Sequence, residues 1–152
     1  MTPLTSSVPA VKGALVDRLN ARAELSGKVT WGVPRETPRM EWIVVGEVEG
    51  DQSAVSVGRS SQSRREERYR VLVVVSVIRS NVEHPRTVAE RAYALAAEVE
   101  DEVRQNPTLG LDPGTDGLYL AQVTKTDLTE SVGDGSQRQA VVTLHVSCMA
   151  RI

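Results

Sequence analysis

Phenylalanine is absent from this 152-residue sequence, and the other large aromatic residues are only two tryptophans and three tyrosines. A surface that stacks the bases of single-stranded nucleic acid needs exposed aromatic rings beside basic groups. The composition therefore argues against that class of site. A formal net charge of −2 also removes the global basic field that recruits nucleic acid.

Cysteine and long apolar runs are scarce as well. Cys148 is the single cysteine, which excludes a disulfide within the chain and fits a reducing cytosol. It lies on the apolar phase of a predicted strand without a cationic neighbour in sequence, so we interpret it as a buried, inert thiol. The longest apolar run, 71–75, is far too short to span a bilayer. The first residues lack a signal-peptide pattern, and we expect a soluble intracellular protein.

Residues that usually carry catalysis or bind metals are also sparse. The two histidines, His84 and His145, have no carboxylate at the spacing of a helical zinc motif, and we assign both a structural role. The segment 112–117 has carboxylates and glycines, but it lacks the rest of a calcium loop and is typical of a turn. Phosphate-binding glycine loops, dinucleotide fingerprints and nucleophile elbows are missing. We therefore predict no catalytic residue, no cofactor and no metal, and a protein that is not an enzyme.

What the sequence does contain is a clear order of secondary-structure elements. Apolar residues at spacings of three and four predict a helix over 7–25, with Ser6 or Ser7 as its cap, and a second helix over 85–105 that ends at Asn106-Pro107. Runs of β-formers predict strands over 29–33, 41–48, 69–78, 118–128 and 139–150, with a hairpin turn around 133–135. The unbroken β-branched run at 69–78 predicts a central strand covered on both faces.

The polar centre of the chain, from residue 49 to residue 68, breaks this pattern and has two interpretations. The first is a solvated loop of mixed charge. The second is a β-hairpin arm, each limb of which extends up to about 30 Å and becomes ordered against neighbouring proteins. Arginine forks suit such an interface because they bind acidic partners through two hydrogen bonds. The predicted interface residues are Arg59, Arg64, Arg65, Glu66, Glu67 and Arg68.

These elements together predict a single α+β domain over residues 1–152. The order is α-β-β-(long polar loop or arm)-β-α-β-β, and strands adjacent in sequence favour a mostly antiparallel sheet with two helices packed on it.

The same order carries a resemblance to a known family. An amphipathic helix that begins Val8-Pro9-Ala10-Val11 is followed by two strands, the polar segment, a Val-rich strand, a helix that runs into Asn106-Pro107-Thr108-Leu109-Gly110, and a final hairpin. In length and element order, over nearly the whole chain, this resembles the tail terminator proteins of long-tailed bacteriophages, also called tail completion or tail-to-head joining proteins.

The resemblance implies a structural virion protein of the tail or neck, assembled in the host cytoplasm. Such proteins form a ring, usually a hexamer, that caps the tail tube, stops addition of the major tail tube protein and joins the tail to the head–tail connector, or stopper. DNA would pass through the lumen without specific binding, and no membrane is involved. Two alternatives stay open: another head–tail connector or minor tail subunit, and a small-molecule-binding α+β domain or unrecognised enzyme.

Overall fold

A computed structural model describes residues 5–33, 40–56, 64–133 and 136–152. The elements in chain order are α1 (Val8–Ala21), a 3-10 turn (Ala23–Leu25), β1 (Val29–Trp31), β2 (Glu41–Ser56), β3 (Arg64–Ser80), α2 (Pro85–Gln105), the short α3 (Pro113–Asp116), β4 (Leu118–Val132) and β5 (Gln137–Arg151). Across the described residues, no helix combines the length and the apolar character that a bilayer crossing requires.

The strands form one five-stranded sheet in the order β1-β2-β3-β5-β4. The short β1 runs parallel to β2, and every other pair is antiparallel. The predicted α+β class, with two main helices on a mostly antiparallel sheet, is confirmed.

The core lies between one face of the sheet and the two main helices. Successive strand residues point to opposite faces, so alternate residues of β3 and β5 enter this core. From the strands come Val71, Val73, Val75, Val142, Leu144 and Val146, and from the helices come Val11, Leu15, Leu19, Val88, Leu95 and Val99, all at most 1% exposed. The apolar stripe of each helix, which follows the 3.6-residue period, thus packs against the apolar face of the strands, which follows the two-residue period.

β3 is central, as predicted, but the expectation that it is covered on both faces is wrong. Its residues on the helix side are fully buried, whereas Leu72, Val74 and Ile78 on the other side remain partly exposed. The Val-rich run therefore fills the core on one face and lines a helix-free face on the other.

α1 ends four residues earlier than predicted. Arg22 leaves the helical region with φ −77° and ψ 133°, and its guanidinium reaches across to α2. There it lies 2.6 Å from Asp101, 2.9 Å from Glu98 and 3.1 Å from Glu102. The ion pairs between Arg22 and these carboxylates hold the two helices together. Because the carboxylates are far from Arg22 in the sequence, the local pattern does not reveal that α1 ends before it.

The first residue of β2, Glu41, is the centre of a second ionic cluster. Its carboxylate accepts two hydrogen bonds from Arg91, at 2.7 and 2.9 Å, one from Lys28 at 2.8 Å, and one from Arg79. Hydrogen bonds from Arg91, followed by those from Lys28 and Arg79, hold the pKa of Glu41 well below its ordinary value, although burial raises it. The cluster ties α2 to the residue before β1, to the first residue of β2 and to the end of β3.

Because the folded-state pKa of Glu41 is depressed, its contribution to stability is present above the ordinary carboxyl pKa and is lost as the pH falls. We expect Glu41→Gln to lower the free energy of unfolding by about 2–4 kcal/mol at pH 7. The difference from the unsubstituted chain should shrink between about pH 5 and pH 2. Urea unfolding over a pH series measures this. Glu90→Gln, which removes an exposed pair with Arg86, is the control and should change little; equal pH profiles for Glu41→Gln and the unsubstituted chain would contradict the assignment.

Small features noted in the sequence have structural roles. His84 is the N-cap of α2, and its Nδ1 accepts the Arg86 N–H at 3.2 Å. Asp112 caps α3 by accepting the Gly114 N–H at 2.9 Å, so the segment 112–117 is one helical turn.

Cys148 is 1% exposed, and burial raises the pKa of its thiol to about 12. The thiol therefore stays protonated at neutral pH.

Candidate assembly surface

The segment 49–68 forms a β-hairpin over its described residues. β2 and β3 pair without interruption from Glu49 opposite Arg70 to Ala54 opposite Arg65, and residues 57–63 lie outside the described ranges. Gly50 allows this close pairing, because a Cβ atom there would lie 2.4 Å from the backbone of Arg68 and Tyr69. β5 supports the hairpin as far as Arg65, which exchanges two backbone hydrogen bonds with Ile152. Any projecting part therefore begins beyond Arg65.

Glu67 lies in the interior rather than on the surface of the hairpin. Its side chain is buried, and its carboxylate accepts hydrogen bonds from Ser6 Oγ at 2.6 Å, Ser7 N at 2.7 Å and Ser7 Oγ at 2.8 Å. The hydroxyls of Ser7 and Tyr69 are 2.7 Å apart. Since a carboxylate at a helix N-terminus also meets the positive end of the helix dipole, Glu67 fixes α1 to the hairpin and offers no surface to a partner.

Glu66 and Arg68 point to the opposite, helix-free face. Glu66 accepts a hydrogen bond from Arg68 at 2.9 Å and one from the Tyr119 hydroxyl at 3.3 Å. The hydrogen bond from Arg68 lowers the pKa of Glu66. Arg151 lies over the Tyr119 ring, 5.8 Å from its centroid. This group joins β3, β4 and β5 at the root of the hairpin, and the Arg68 side chain remains 68% exposed.

The remaining predicted interface residues are arginines. Arg65 is exposed beside the C-terminus of β5. Arg64 is the first residue of β3, and Arg59 lies outside the described residues. The structure thus separates the predicted set by face, with Glu67 inside and Glu66 and Arg68 on the helix-free side. The role of the arginines in an interface stays a prediction.

Two sheet edges form surfaces that the sequence analysis missed. β1 covers β2 only at residues 43–45, so from Gly46 to Ser56 the outer edge of β2 has no strand partner among the described residues. On the other side of the sheet β4 is the edge strand, and every residue from Thr124 to Val132 is exposed. Unpaired strand edges are templates for association. For the β4 edge a sequence signal was available. The second half of this strand is rich in threonine and has no regular alternation of apolar and polar residues, which is typical of a strand without a buried face.

The helix-free face of the sheet is the third exposed surface. Its centre is made of partly exposed apolar side chains: Trp42, Val44, Leu72, Val74, Ile78 and Val141. Towards β4, His145 lies 3.0 Å from Asp127, which also lies 3.6 Å from Lys125. Apolar side chains with a polar rim are typical of protein–protein contact.

The described residues give little support for a small-molecule or metal site. A cleft of about 690 Å³ is lined by Ser26, Gly27, Lys28, Met40, Glu41 and Arg79, and it is open to solvent. Its charged side chains already bind one another through Glu41. In the described ranges no three His, Cys, Asp or Glu side chains come together to hold a metal ion.

Comparison with known proteins gives a likeness of fold. No protein-family model matches the sequence, and no curated protein matches it either. Among solved structures, a chain of "Virion of native gene transfer agent (GTA) particle" matches with a TM-score of 0.62 at 15% sequence identity. The match covers 97% of this chain and 100% of that chain. Nearly the whole chain therefore shares its fold with a chain of a gene transfer agent virion.

Proposed function

We propose that this protein is a structural virion component of the tail terminator type and not an enzyme. Copies of the chain close into a ring, a hexamer by resemblance, that caps the tail tube and joins it to the head connector. The observation that carries the proposal is the whole-length fold likeness to a gene transfer agent virion chain. That likeness supports a virion structural role. The tail terminator type is supported by the resemblance of the sequence, which rests on the order of elements.

The geometry of the sheet supports a ring. Its two free edges, on β2 and β4, lie on opposite sides of one chain. A contact between unlike surfaces of successive copies is head-to-tail, and such contacts form a ring when the rotation closes. The hairpin at one end of the sheet is then available for a contact along the axis, with the tail tube or the stopper protein.

The experiment is polymerisation of the major tail tube protein from the same source, with and without this chain. We expect elongation to stop early, and the mean tube length to fall as the ratio of chain to tube protein rises. The chain should localise to tube ends rather than along tube walls. Binding to a connector without any effect on tube growth would instead favour a head–tail connector or minor tail subunit, and unchanged growth without binding would contradict the proposal.

A further inference from the structure

Trp31, the last residue of β1, presents an exposed aromatic ring at one edge of the sheet. β1 is the edge strand beside β2, and Trp31 is 53% exposed. α1 holds the ring in place, since the Lys12 Nζ atom lies 4.7 Å from the ring centroid and a Cβ atom at Gly13 would lie 3.8 Å from the ring. Tryptophan is enriched among the residues that dominate binding energy. An exposed ring fixed against a helix can therefore anchor a partner.

A second exposed apolar surface lies at the opposite edge, on β4. Leu128 pairs with the buried Val142 and therefore lies on the helix side of the sheet, yet it remains 39% exposed. The reason is that α2 crosses the sheet diagonally. Arg91, in its first half, binds the first residue of β2, and the Pro107 carbonyl beyond its end accepts a backbone N–H of β4 at 2.7 Å. The diagonal leaves the second half of β4 open beside the flank of α2.

Tyr93 lies on that flank of α2 and is 45% exposed. At 3.6 residues per turn it is on the side of the helix opposite to Arg91 and Glu98, which bind β2 and the end of α1, so it faces towards β4. Its height along the sheet follows from the contact at the end of the helix. Measured back from that contact, Tyr93 on the helix and Leu128 on the strand both lie about 20 Å away. The two side chains therefore form one apolar groove.

The anchor and the groove lie at the same height and on the same face of the sheet. Trp31 pairs with Val45, Val45 with Val73, Val73 with Leu144, and Leu144 with Thr126 of β4. The three residues between the two edges are buried against the helices, so Trp31 and Thr126 also lie on the helix side. In a ring whose axis runs along the strands, all copies have the same height. Trp31 of one copy is then level with the groove of the next.

Charges beside the two surfaces are complementary. Lys12 lies in the first half of α1, which starts at the hairpin, where Ser7 binds Glu67; it is therefore displaced from Trp31 towards the hairpin. Glu100 lies two turns after Tyr93 on the same flank of α2, displaced in the same direction, and its side chain is 41% exposed. A copy docked at equal height brings this ammonium group and this carboxylate together at the rim of the contact.

We propose that Trp31 of one copy binds between Tyr93 and Leu128 of the next copy, with Lys12 and Glu100 paired at the rim. The contact deepens the proposed function and rests on its ring, since it identifies the surfaces that join neighbouring copies. A pairing of unlike surfaces is head-to-tail, which is the arrangement that a closed ring requires. A buried aromatic anchor within a polar rim is the usual composition of a protein–protein contact, and the rim charges exclude wrong neighbours.

Removal of the anchor tests the contact. Trp31→Ala should weaken self-association at least about tenfold, and Leu128→Asp should do the same from the other surface. Both variants should stay folded, because both side chains are exposed in the isolated chain. Val82→Ala is the matched control, at an apolar residue that is 87% exposed in the turn between β3 and α2, and it should associate like the unsubstituted chain. Light scattering over a concentration series measures mass, and thermal melting verifies folding.

Exchange of the rim charges is the sharper arm. Lys12→Glu and Glu100→Lys should each weaken association about threefold. The chain with both substitutions should recover it, because opposite charges meet again at every junction. Loss in each single variant and recovery in the double variant support the contact. A doubly exchanged chain no better than the single variants overturns it, as does an unsubstituted chain that remains monomeric alone and at tube ends.

The tube-growth assay separates this contact from the function on which it rests. Trp31→Ala that still forms rings and stops growth would reject the contact and keep the terminator function. Trp31→Ala that self-associates normally but no longer stops growth would overturn the contact and identify the ring as a binding site for the tube. Rings that depend on Trp31 but leave tube growth unchanged would keep the contact and reject the terminator function.

Discussion

Replacing residues 54–65 by Asn-Gly is expected to abolish the arrest of tube growth and to leave the core folded. Ser53 and Glu66 lie opposite each other in the β2–β3 ladder, and Asn-Gly is a favoured two-residue turn between such positions. The change keeps Glu67 and its contacts with α1. It removes the two backbone hydrogen bonds between Arg65 and Ile152, which contribute about 1–2 kcal/mol together. The shortened chain should therefore melt only a few degrees lower.

The readouts for this variant are mass by light scattering and the arrest of tube growth. A control with the length of the unsubstituted chain, in which glycine and serine replace residues 57–63, keeps both limbs of the hairpin and changes only the residues between them. If the limbs of the hairpin contact the tube, the control stops tube growth and the shortened chain does not. A shortened chain that assembles and stops tube growth normally would eliminate the hairpin as an interface.

Glu67→Ala is expected to have the largest effect on stability of any single substitution in the predicted interface set. It removes the acceptor of three hydrogen bonds from Ser6 and Ser7, and hydrogen bonds to charged groups are the strong ones. It also leaves the buried backbone N–H of Ser7 without its acceptor. We expect the free energy of unfolding to fall by about 2–4 kcal/mol.

Urea denaturation measures the loss, and Glu49→Ala is the matched control. Glu49 is a carboxylate on the neighbouring strand of the same hairpin, with a side chain that is 53% exposed, and exposed pairs contribute little. Glu67→Gln keeps one carbonyl acceptor and should fall between the two. Equal stability of the Glu67→Ala and Glu49→Ala variants would show that the buried carboxylate does not hold α1 in place.

The elements that the sequence predicts well are those with a complete local pattern. α2 spans the predicted residues, Pro85 to Gln105, because its apolar spacing, its initial proline and the terminal Asn106-Pro107 all agree. β2 extends eight residues beyond its predicted end. Its second half, which includes Gly50-Asp51-Gln52-Ser53, has weak strand propensity and is held by the ladder with β3. Pairing across the sheet overrides local propensity here.

Which residues form the candidate assembly surface was harder to predict, for two physical reasons. Glu66, Glu67 and Arg68 form one charged run in the sequence. Because successive strand residues point to opposite faces, Glu67 enters the core beside Tyr69, whereas Glu66 and Arg68 lie on the helix-free face. The partner of Glu67, the first turn of α1, is 60 residues away, and no local pattern reveals it. The free edges of β2 and β4 depend on strand order, which is a property of the folded sheet.

Electron microscopy of tail tubes mixed with this chain, with light scattering of the chain alone, tests the central claim most directly. The account predicts a closed ring of several copies at the end of each arrested tube, with little protein along the walls. A chain that stays a monodisperse monomer and is absent from the ends of tubes that keep growing would contradict it.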